Sequence, residues 1–246
     1  MPTQRPTDSS TRTPHPTWTA PAPTRGTELA PGLQYINIQT GKSCSIGFFA
    51  QPTTATDHLP THILTAGHCG TPGQTIRTPS SAAPIGRITA SLWNRDEHSI
   101  TGPDIGLIEL TPEASQAADP TIPVLNTART TWSYHHARTK PVITTGLDTT
   151  DTLIRIGYRT GASAGTFDNS ETCAHVQTDT ERFCYSGTAQ HGDSGGPIYT
   201  LSPTNEVIAV GIQSYQTDDT PHSPEGKPLI GQYITEYATQ NGLQLI

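Results

Sequence analysis

The sequence predicts an all-β protein, built as one large unit or as two smaller lobes that share a cleft. The chain has 246 residues, of which only 14% are charged, and it contains 22 glycines and 22 prolines. This composition is typical of turn-rich proteins and not of helical bundles. Short apolar runs recur between clusters of Gly, Pro, Asn and Asp, and no long stretch keeps the 3.6-residue helical period. Many short strands spaced in this way favour antiparallel barrels or a sandwich.

The N-terminal segment, residues 1–31, is rich in Pro and Thr and poor in apolar side chains. Such a segment cannot bury enough surface to offset its ordering entropy, so we expect a disordered tether or the remains of a pro-segment. The folded domain should occupy residues 32–246 and begin with GLQYINIQTGKSCSIGFFAQ. In that run a Gly-Lys pair separates two β-type stretches, which is a hairpin signal.

The strand candidates after this hairpin are short and apolar or alternating: HILTAG, PIGRITASLW, IGLIEL, TLIRIGY, GPIYTL, VIAVGIQSY and LIGQYITEY. Two stretches depart from the pattern, a possible helical turn at PEASQAA and a C-terminal helix at TEYATQNG. The segment from about residue 111 to 140 is polar and has few strand signals. We therefore interpret it as the crossing between two lobes.

The charge and hydropathy of the chain exclude two classes of partner. The formal net charge is −7 at pH 7, so there is no basic patch to neutralise the phosphates of a nucleic acid. No apolar run approaches 18 residues, and we expect no transmembrane segment. The first residues also lack the charged and apolar regions of a secretory signal, which leaves two alternatives: a signal already removed, or a protein that stays inside the cell.

The four cysteines indicate the redox compartment. They fall as Cys44 with Cys69, and Cys173 with Cys184, and none forms a C-x-x-C pair. A zinc ribbon is therefore not indicated, and we expect no metal site. Two local disulfides are the simpler interpretation and would place the protein in an oxidising compartment. Four reduced, buried thiols are the alternative.

Three stretches supply the groups that a reactive serine needs. A serine hydroxyl is a poor nucleophile until a base takes its proton, and that base must be oriented by a third group. HGDSGGP surrounds Ser194 with glycines, which allow close approach to the backbone. TAGHC places His68 directly after a strand-like run, and PDIGLIEL places Asp104 at the start of an apolar strand.

These motifs, in the order His, Asp, Ser, resemble those of the chymotrypsin-like serine proteases. The order differs from that of the subtilisins and the α/β-hydrolases. CSIGFFA ahead of TAGHC further resembles the actinobacterial, streptogrisin-like branch. The resemblance covers roughly residues 32–240. It implies two antiparallel six-stranded β-barrels, at about 32–125 and 126–246, with the active site in the cleft between them and a short C-terminal helix.

The activity that this resemblance implies is that of a serine endopeptidase working through an acyl-enzyme. His68 would take the proton from Ser194, and Asp104 would hold His68 and stabilise its imidazolium. The N–H groups of Gly192 and Ser194 would form the oxyanion hole. No cofactor is implied, the partners would be polypeptide substrates, and we expect a monomer that is secreted or held in the cell envelope.

Two other classes of function are open to a sequence of this kind. A protease fold can persist as an adhesin or scaffold with vestigial activity, but the usual signature is a lost triad residue and none is lost here. A regulated intracellular protease would need appended regulatory domains, for which we expect no room in this chain.

The family pattern also assigns the cysteines. In the streptogrisin-like branch the first cysteine pairs with the one after the histidine, which implies the disulfide Cys44–Cys69. Cys173 and Cys184 are then left for a second disulfide.

The residues expected at the specificity pocket come from the same resemblance. Its base lies six residues before the serine, and its mouth and walls are formed nearby, giving Thr188, His191, Ser214, Tyr215, Gln216 and Gly231. Trypsin-like members carry Asp at the base, where this chain has Thr. We therefore expect cleavage after uncharged residues of small or moderate size.

The aspartate before the nucleophile, Asp193, needs a cationic partner if it is buried. The sequence has no cleavage site of the Arg-Ile-Val-Gly-Gly type that would create a new N-terminal ammonium. Streptogrisin-like relatives use an internal arginine shortly before a Gly-rich turn, and YRTGASAG places Arg159 there. We expect Arg159 to pair with Asp193 and to hold the oxyanion hole in shape without cleavage of the tail.

Overall fold

The structure, a computed structural model, describes residues 18–21, 25–93, 102–126, 131–138, 151–168, 173, 181–216 and 228–246, and only the backbone of residues 138, 215 and 216. Its strands are β1 (Trp18–Ala20), β2 (Gln34–Asn37), β3 (Ser43–Ser45), β4 (Phe48–Pro52), β5 (His62–Thr65), β6 (Thr75–Arg77), β7 (Gly86–Leu92), β8 (Ile105–Leu110), β9 (Ile122–Leu125), β10 (Trp132–His135), β11 (Ala137–Arg138), β12 (Thr152–Gly157), β13 (Gly161–Thr166), β14 (Arg182–Tyr185), β15 (Pro197–Leu201), β16 (Val207–Gln216), β17 (Leu229–Tyr233) and β18 (Leu243–Leu245). Its helices are a 3-10 turn (Gly67–Cys69), α1 (Pro112–Ala117) and α2 (Thr235–Gln240).

Two curled sheets make up the fold, and the expected all-β class is confirmed. The first lobe is a sheet in the order β18-β4-β5-β8-β7-β6-β2-β3, and the second lobe is a sheet in the order β1-β13-β12-β15-β16-β17-β14. Among the described strands the pairing is antiparallel, apart from β11, which lies parallel to β16. Each sheet has eight strands where six were expected. β1 and β18 are edge strands that join from distant parts of the chain, and β11 is the eighth strand of the second sheet.

Alternating side chains bury both faces of these sheets. In β4, Phe49 points into the interior of the first lobe, where it packs with Ile63 and Ile108. Its neighbour Phe48 points the other way, into an apolar cluster that also contains Ile154 of β12. Strand residues alternate faces with period two, so β4 contributes to the first-lobe core and to the contact between the lobes. The second lobe has its own interior cluster around the Phe183 ring.

The crossing between the lobes contains more structure than its polar sequence predicts. The expected turn at PEASQAA is helix α1, which begins after Thr111, whose hydroxyl accepts the Ala114 N–H at 3.2 Å. This is an N-cap followed by proline at the first helical position. Strands β9 and β10 then pair as a separate two-stranded sheet. No helix within the described ranges is long and apolar enough to cross a membrane.

Part of the expected tether is folded against the domain. Residues 1–17 and 22–24 lie outside the described residues, but Trp18–Ala20 form β1 and pair with β13. The Arg25 side chain is 3% exposed, with Nη2 at 3.2 Å from the Asp119 carboxylate and 2.6 Å from the Thr121 carbonyl oxygen. Exposed main-chain groups on the edge of the second sheet favour an added strand. The division of the chain near residue 125 stays a prediction.

Replacing Arg25 by alanine should lower the free energy of unfolding by about 2 kcal/mol, because the Thr121 carbonyl and the Asp119 carboxylate lose a buried charged partner. The measurement is urea denaturation at pH 7 with the disulfides intact. Arg87 is an exposed arginine on β7, and Arg87→Ala is the matched control with an expected change within about 0.5 kcal/mol. Equal effects of the two substitutions would contradict an anchoring role for Arg25.

Candidate active site

The histidine of the site is fixed by its local backbone. His68 lies in the 3-10 turn that follows β5, and the disulfide Cys44–Cys69 joins this turn to β3. Gly67 packs so closely that a Cβ there would lie 2.9 Å from the Ile105 carbonyl oxygen. Only glycine permits this approach, so the chain can turn directly beside β8. The side chain of His68 is therefore held at the start of that strand.

Asp104 lies immediately before β8 and is fully buried. Its Oδ2 is 2.8 Å from His68 Nδ1, and its Oδ1 accepts the His68 main-chain N–H at 2.8 Å. The Ser214 hydroxyl also donates to Oδ2, and the Asp104 N–H donates to Gln232 Oε1 at 2.9 Å. Because a carboxylate only accepts, Nδ1 must carry a proton, and Nε2 is left as the basic nitrogen of the neutral ring.

The electrostatics of this pair keep the carboxyl group ionised. Burial by itself would raise the pKa of Asp104. The opposing charge of the His68 ring, together with hydrogen bonds from His68 and Ser214, outweighs burial and leaves the pKa of Asp104 below its ordinary value. The His68 ring also contacts the Trp93 ring edge-to-face, with 5.6 Å between the centroids. The ring is thus oriented by a charged group on one side and packed against an aromatic ring.

Ser194 lies in a tight turn between β14 and β15. Its carbonyl oxygen accepts the Ser45 N–H at 2.8 Å, and the next N–H, that of Gly195, donates to the Gln213 carbonyl at 2.7 Å. Gly195 has φ +84°, and a Cβ there would lie 2.2 Å from Thr65 Oγ1. His68 contacts Asp104 and Trp93 through its ring and Lys42 through its main-chain carbonyl. No hydrogen bond joins Ser194 Oγ to His68 Nε2 within the described ranges, a bond that is often long in unliganded sites.

Two main-chain N–H groups beside Ser194 are available to a ligand. Among the residues that the structure describes, neither the Gly192 N–H nor the Ser194 N–H has a hydrogen-bond acceptor. Gly192 has φ +105°, and a Cβ at this position would lie 2.5 Å from Tyr158 Oη. A side chain is excluded there by both backbone conformation and space. This arrangement fits the expected pair of oxyanion donors.

Asp193 is fully buried beneath this turn and is surrounded by donors. The N–H groups of Gln190, Arg159 and Thr160 lie 2.8, 2.9 and 3.2 Å from its carboxylate oxygens, and the Thr160 hydroxyl donates at 2.7 Å. Arg155 supplies the positive charge: its Nη1 is 3.4 Å from Asp193 Oδ2, and both side chains are fully buried. The carboxylate is thus neutralised inside the second lobe.

The partner of Asp193 is therefore Arg155, and the pairing expected for the Arg159 side chain is wrong. Arg159 lies in the turn between β12 and β13, is exposed, and has its guanidinium 6.0 Å from the centroid of the Tyr158 ring. Only its main-chain N–H contacts Asp193. Arg155 stands among apolar residues in TLIRIGY, and a charge in such a run needs a buried partner. That signal could have identified it from the sequence.

The disulfides have the expected pairing. Cys44 joins Cys69 in the first lobe, and Cys173 joins Cys184 of β14 in the second. His68, Cys44 and Cys69 lie together, but the two sulfurs are bonded to each other and His68 Nδ1 is bonded to Asp104. This group therefore offers no set of ligands for a metal ion.

The expected pocket residues are only partly brought together. Thr188 and His191 are exposed near the turn that carries Ser194. The Ser214 hydroxyl is instead bonded to Asp104, and Gly231 packs against Phe183, since a Cβ there would lie 2.2 Å from the ring. The side chains of residues 215 and 216 lie outside the described residues.

Other residues, absent from the expected set, lie near Gly187, the residue before the predicted pocket base Thr188. The Leu229 side chain reaches within 3.5 Å of a Cβ built on Gly187, as does the Ser163 hydroxyl. Gln213 is 2% exposed and accepts a hydrogen bond from the Tyr185 hydroxyl. These residues lie in strands, where the sequence pattern indicates only that a residue is buried, so their positions near Gly187 had no sequence signal.

Comparisons with known proteins support the fold. A family model described as Trypsin matches residues 38–239. No curated protein sequence matches the chain. Among solved structures, Thermobifida fusca protease A is 21% identical with a TM-score of 0.58, over 89% of this chain and 98% of that chain. Nocardiopsis protease is 21% identical with a TM-score of 0.57, over 88% of this chain and 98% of that chain. Likeness at these identities establishes the fold.

Replacing Arg155 by methionine should lower the free energy of unfolding by about 3 kcal/mol or more, because Asp193 becomes a buried charge without a cation. Urea denaturation at pH 7 measures the change. Arg159→Ala is the control, with an expected change within about 0.5 kcal/mol, since its side chain is exposed. The double variant Arg155→Met with Asp193→Asn should recover part of the loss. If Arg159→Ala destabilised the protein as much as Arg155→Met, the result would favour Arg159 as the partner of Asp193.

Proposed function

Because the chain belongs to the trypsin family and is a serine-type endopeptidase, we propose that it cleaves peptide bonds through an acyl-enzyme on Ser194. His68 is the general base and acid, and Asp104 holds the histidine. The observation that supports these roles best is the double contact of Asp104, whose two oxygens take the His68 Nδ1–H and the His68 main-chain N–H, both at 2.8 Å. This geometry presents Nε2 as a base of fixed orientation.

Acylation begins when Ser194 Oγ bonds to the carbonyl carbon of the scissile peptide and its proton moves to His68 Nε2. The carbonyl oxygen becomes an oxyanion, which the N–H groups of Gly192 and Ser194 stabilise. The C–N bond then breaks, and His68 gives its proton to the departing amine. A water molecule then attacks the carbonyl carbon of the acyl-enzyme while its proton moves to His68 Nε2. The ester bond to Ser194 Oγ breaks, and His68 returns the proton to Ser194.

Asp104 stabilises the imidazolium that forms in each step without taking its proton. Its pKa lies below the ordinary value, so the carboxyl group stays ionised at neutral pH and the charge opposite His68 persists. The bond from the Ser214 hydroxyl and that from the Asp104 N–H to Gln232 leave the carboxylate little freedom to rotate. Substitution of Asp104 should therefore act through the orientation of His68.

The proposed substrates are polypeptides with an uncharged residue before the scissile bond. Thr188 replaces the aspartate of trypsin-like enzymes, and its carbonyl accepts bonds from the Arg155 guanidinium and, at 2.9 Å, from the Ser163 hydroxyl. A cationic side chain there would face a buried guanidinium, and the nearby carboxylate, Asp193, is already neutralised. The two disulfides support an exported enzyme, and we propose that it acts as a monomer.

Ser194→Ala should lower kcat by about 10⁶, because the nucleophile is lost. Asp104→Asn should lower it by about 10⁴, because the wrong tautomer of His68 is then favoured. Casein hydrolysis measures both, and labelling by a fluorophosphonate reports the activated serine directly. Ser202 is a buried serine that bonds the main chain between β15 and β16, and Ser202→Ala should remain fully active. Wild-type turnover by Ser194→Ala, or no labelling of the wild type, would contradict the proposal.

Peptide p-nitroanilides that differ only in their last residue test the specificity. We expect kcat/KM for the Ala and Leu substrates to exceed that for the Lys and Arg substrates by about tenfold or more, since an unmatched charge is poorly accommodated in a buried site. The comparison at two salt concentrations separates pocket recognition from long-range attraction to the negatively charged protein. Lys or Arg substrates cleaved as well as the uncharged ones would rule this specificity out.

A further inference from the structure

Ser45, the last residue of β3, bonds the second lobe through its main chain and its side chain. It is fully buried. Its N–H donates to the Ser194 carbonyl oxygen at 2.8 Å. Its hydroxyl lies 2.9 Å from the Gly192 carbonyl oxygen and 3.1 Å from the Tyr158 nitrogen. One residue of the first lobe thus contacts both residues whose N–H groups form the proposed oxyanion hole.

The direction of these bonds follows from the chemistry of the partners. The Tyr158 N–H can only donate, so the Ser45 oxygen must accept there. The Gly192 carbonyl can only accept, so it takes the single proton of the Ser45 hydroxyl. The bridge therefore has one arrangement that satisfies both main-chain groups, and neither alanine nor glycine can replace it.

This bridge holds one side of a peptide unit whose other side is held within the oxyanion turn. The peptide between Gly192 and Asp193 is held at its C=O by Ser45 and at its N–H by the Gln190 carbonyl, at 2.9 Å. Gly192 has φ +105° and no Cβ to limit rotation. The two N–H groups of the proposed hole flank this peptide, one on each side. Their directions consequently depend on where the Gly192 carbonyl is held.

We propose that Ser45 is a positioning residue for the oxyanion hole. Its hydroxyl holds the Gly192 carbonyl away from the reacting carbonyl of the substrate and so keeps the N–H groups of Gly192 and Ser194 aimed at the developing oxyanion. This role rests on the proposed function and deepens it. Ser45 itself does not touch the substrate, and its effect is exerted entirely on the transition state, where preorganised donors matter most.

The test is Ser45→Ala, assayed with a peptide p-nitroanilide of uncharged last residue. Loss of a whole oxyanion donor costs about 10² to 10³ in kcat, so a misdirected hole should lower kcat by about 10- to 100-fold. KM should stay within about twofold, because ground-state binding does not use the hole. A peptide aldehyde, whose hemiacetal oxygen would occupy the hole, should bind more weakly by the same factor as kcat falls. The corresponding peptide alcohol should bind as it does to the wild type.

Ser202→Ala is the matched control, since it also deletes a buried hydroxyl that bonds main-chain groups. Ser45→Gly removes the same hydroxyl and guards against a packing effect particular to alanine. Unchanged kcat, or a fall in kcat with unchanged aldehyde affinity, would overturn the role of Ser45 in an enzyme whose wild type is active and labelled at Ser194. Failure of both Ser45 variants to fold, with Ser202→Ala folded, would assign Ser45 a structural role only. Absence of labelling in the wild type would instead contradict the proposed function.

Discussion

The buried carboxylate of Asp193 is the constraint on which the site depends. Its oxygens take three main-chain N–H groups and a hydroxyl, and the guanidinium of Arg155 lies beside it. A charge in this position is tolerated only if it is neutralised and hydrogen bonded. These donors therefore all bond the same carboxylate, and this fixes the conformation of the turn that carries Ser194. Gly157 is required there, since a Cβ would lie 2.3 Å from the carboxylate.

The contact between the lobes is part of the same design. Asp104 belongs to the first lobe, but two of its partners, Ser214 and Gln232, come from strands of the second. All three residues are buried, so water is excluded from these polar contacts, and an apolar cluster has members from both sheets. Low local polarity strengthens each hydrogen bond. The orientation of His68 thus depends on how the two lobes pack together. A shift of one lobe against the other would move Asp104 and change the orientation of the His68 ring.

The motifs in the sequence pointed to the residues to which we assign the chemistry, because a nucleophile, a base and an orienting acid leave short, recognisable patterns. The residues that hold them were found less well. Arg155 was missed because a neighbouring motif pointed to Arg159, but Arg155 is buried on β12 beside Asp193, whereas the Arg159 side chain is exposed in the turn after that strand. Ser45 acts through main-chain groups, which have no sequence signature. Strand β13, GASAGT, was missed because its small residues lack the apolar pattern, while β1 and β18 depend on contacts with remote strands.

The pairing of β18 with β4 has a consequence for how the chain folds during synthesis. Leu243 lies opposite Pro52 and Leu245 opposite Ala50, so the first sheet acquires its edge strand from residues made almost a whole chain later. Contacts this distant in sequence slow folding, since a long loop must close before they form. During synthesis on the ribosome, the first sheet would therefore stay incomplete, with the edge of β4 unpaired, until residue 245 emerged. Protection of that edge by chaperones, or by rapid export of an unfolded chain, would limit aggregation in the meantime.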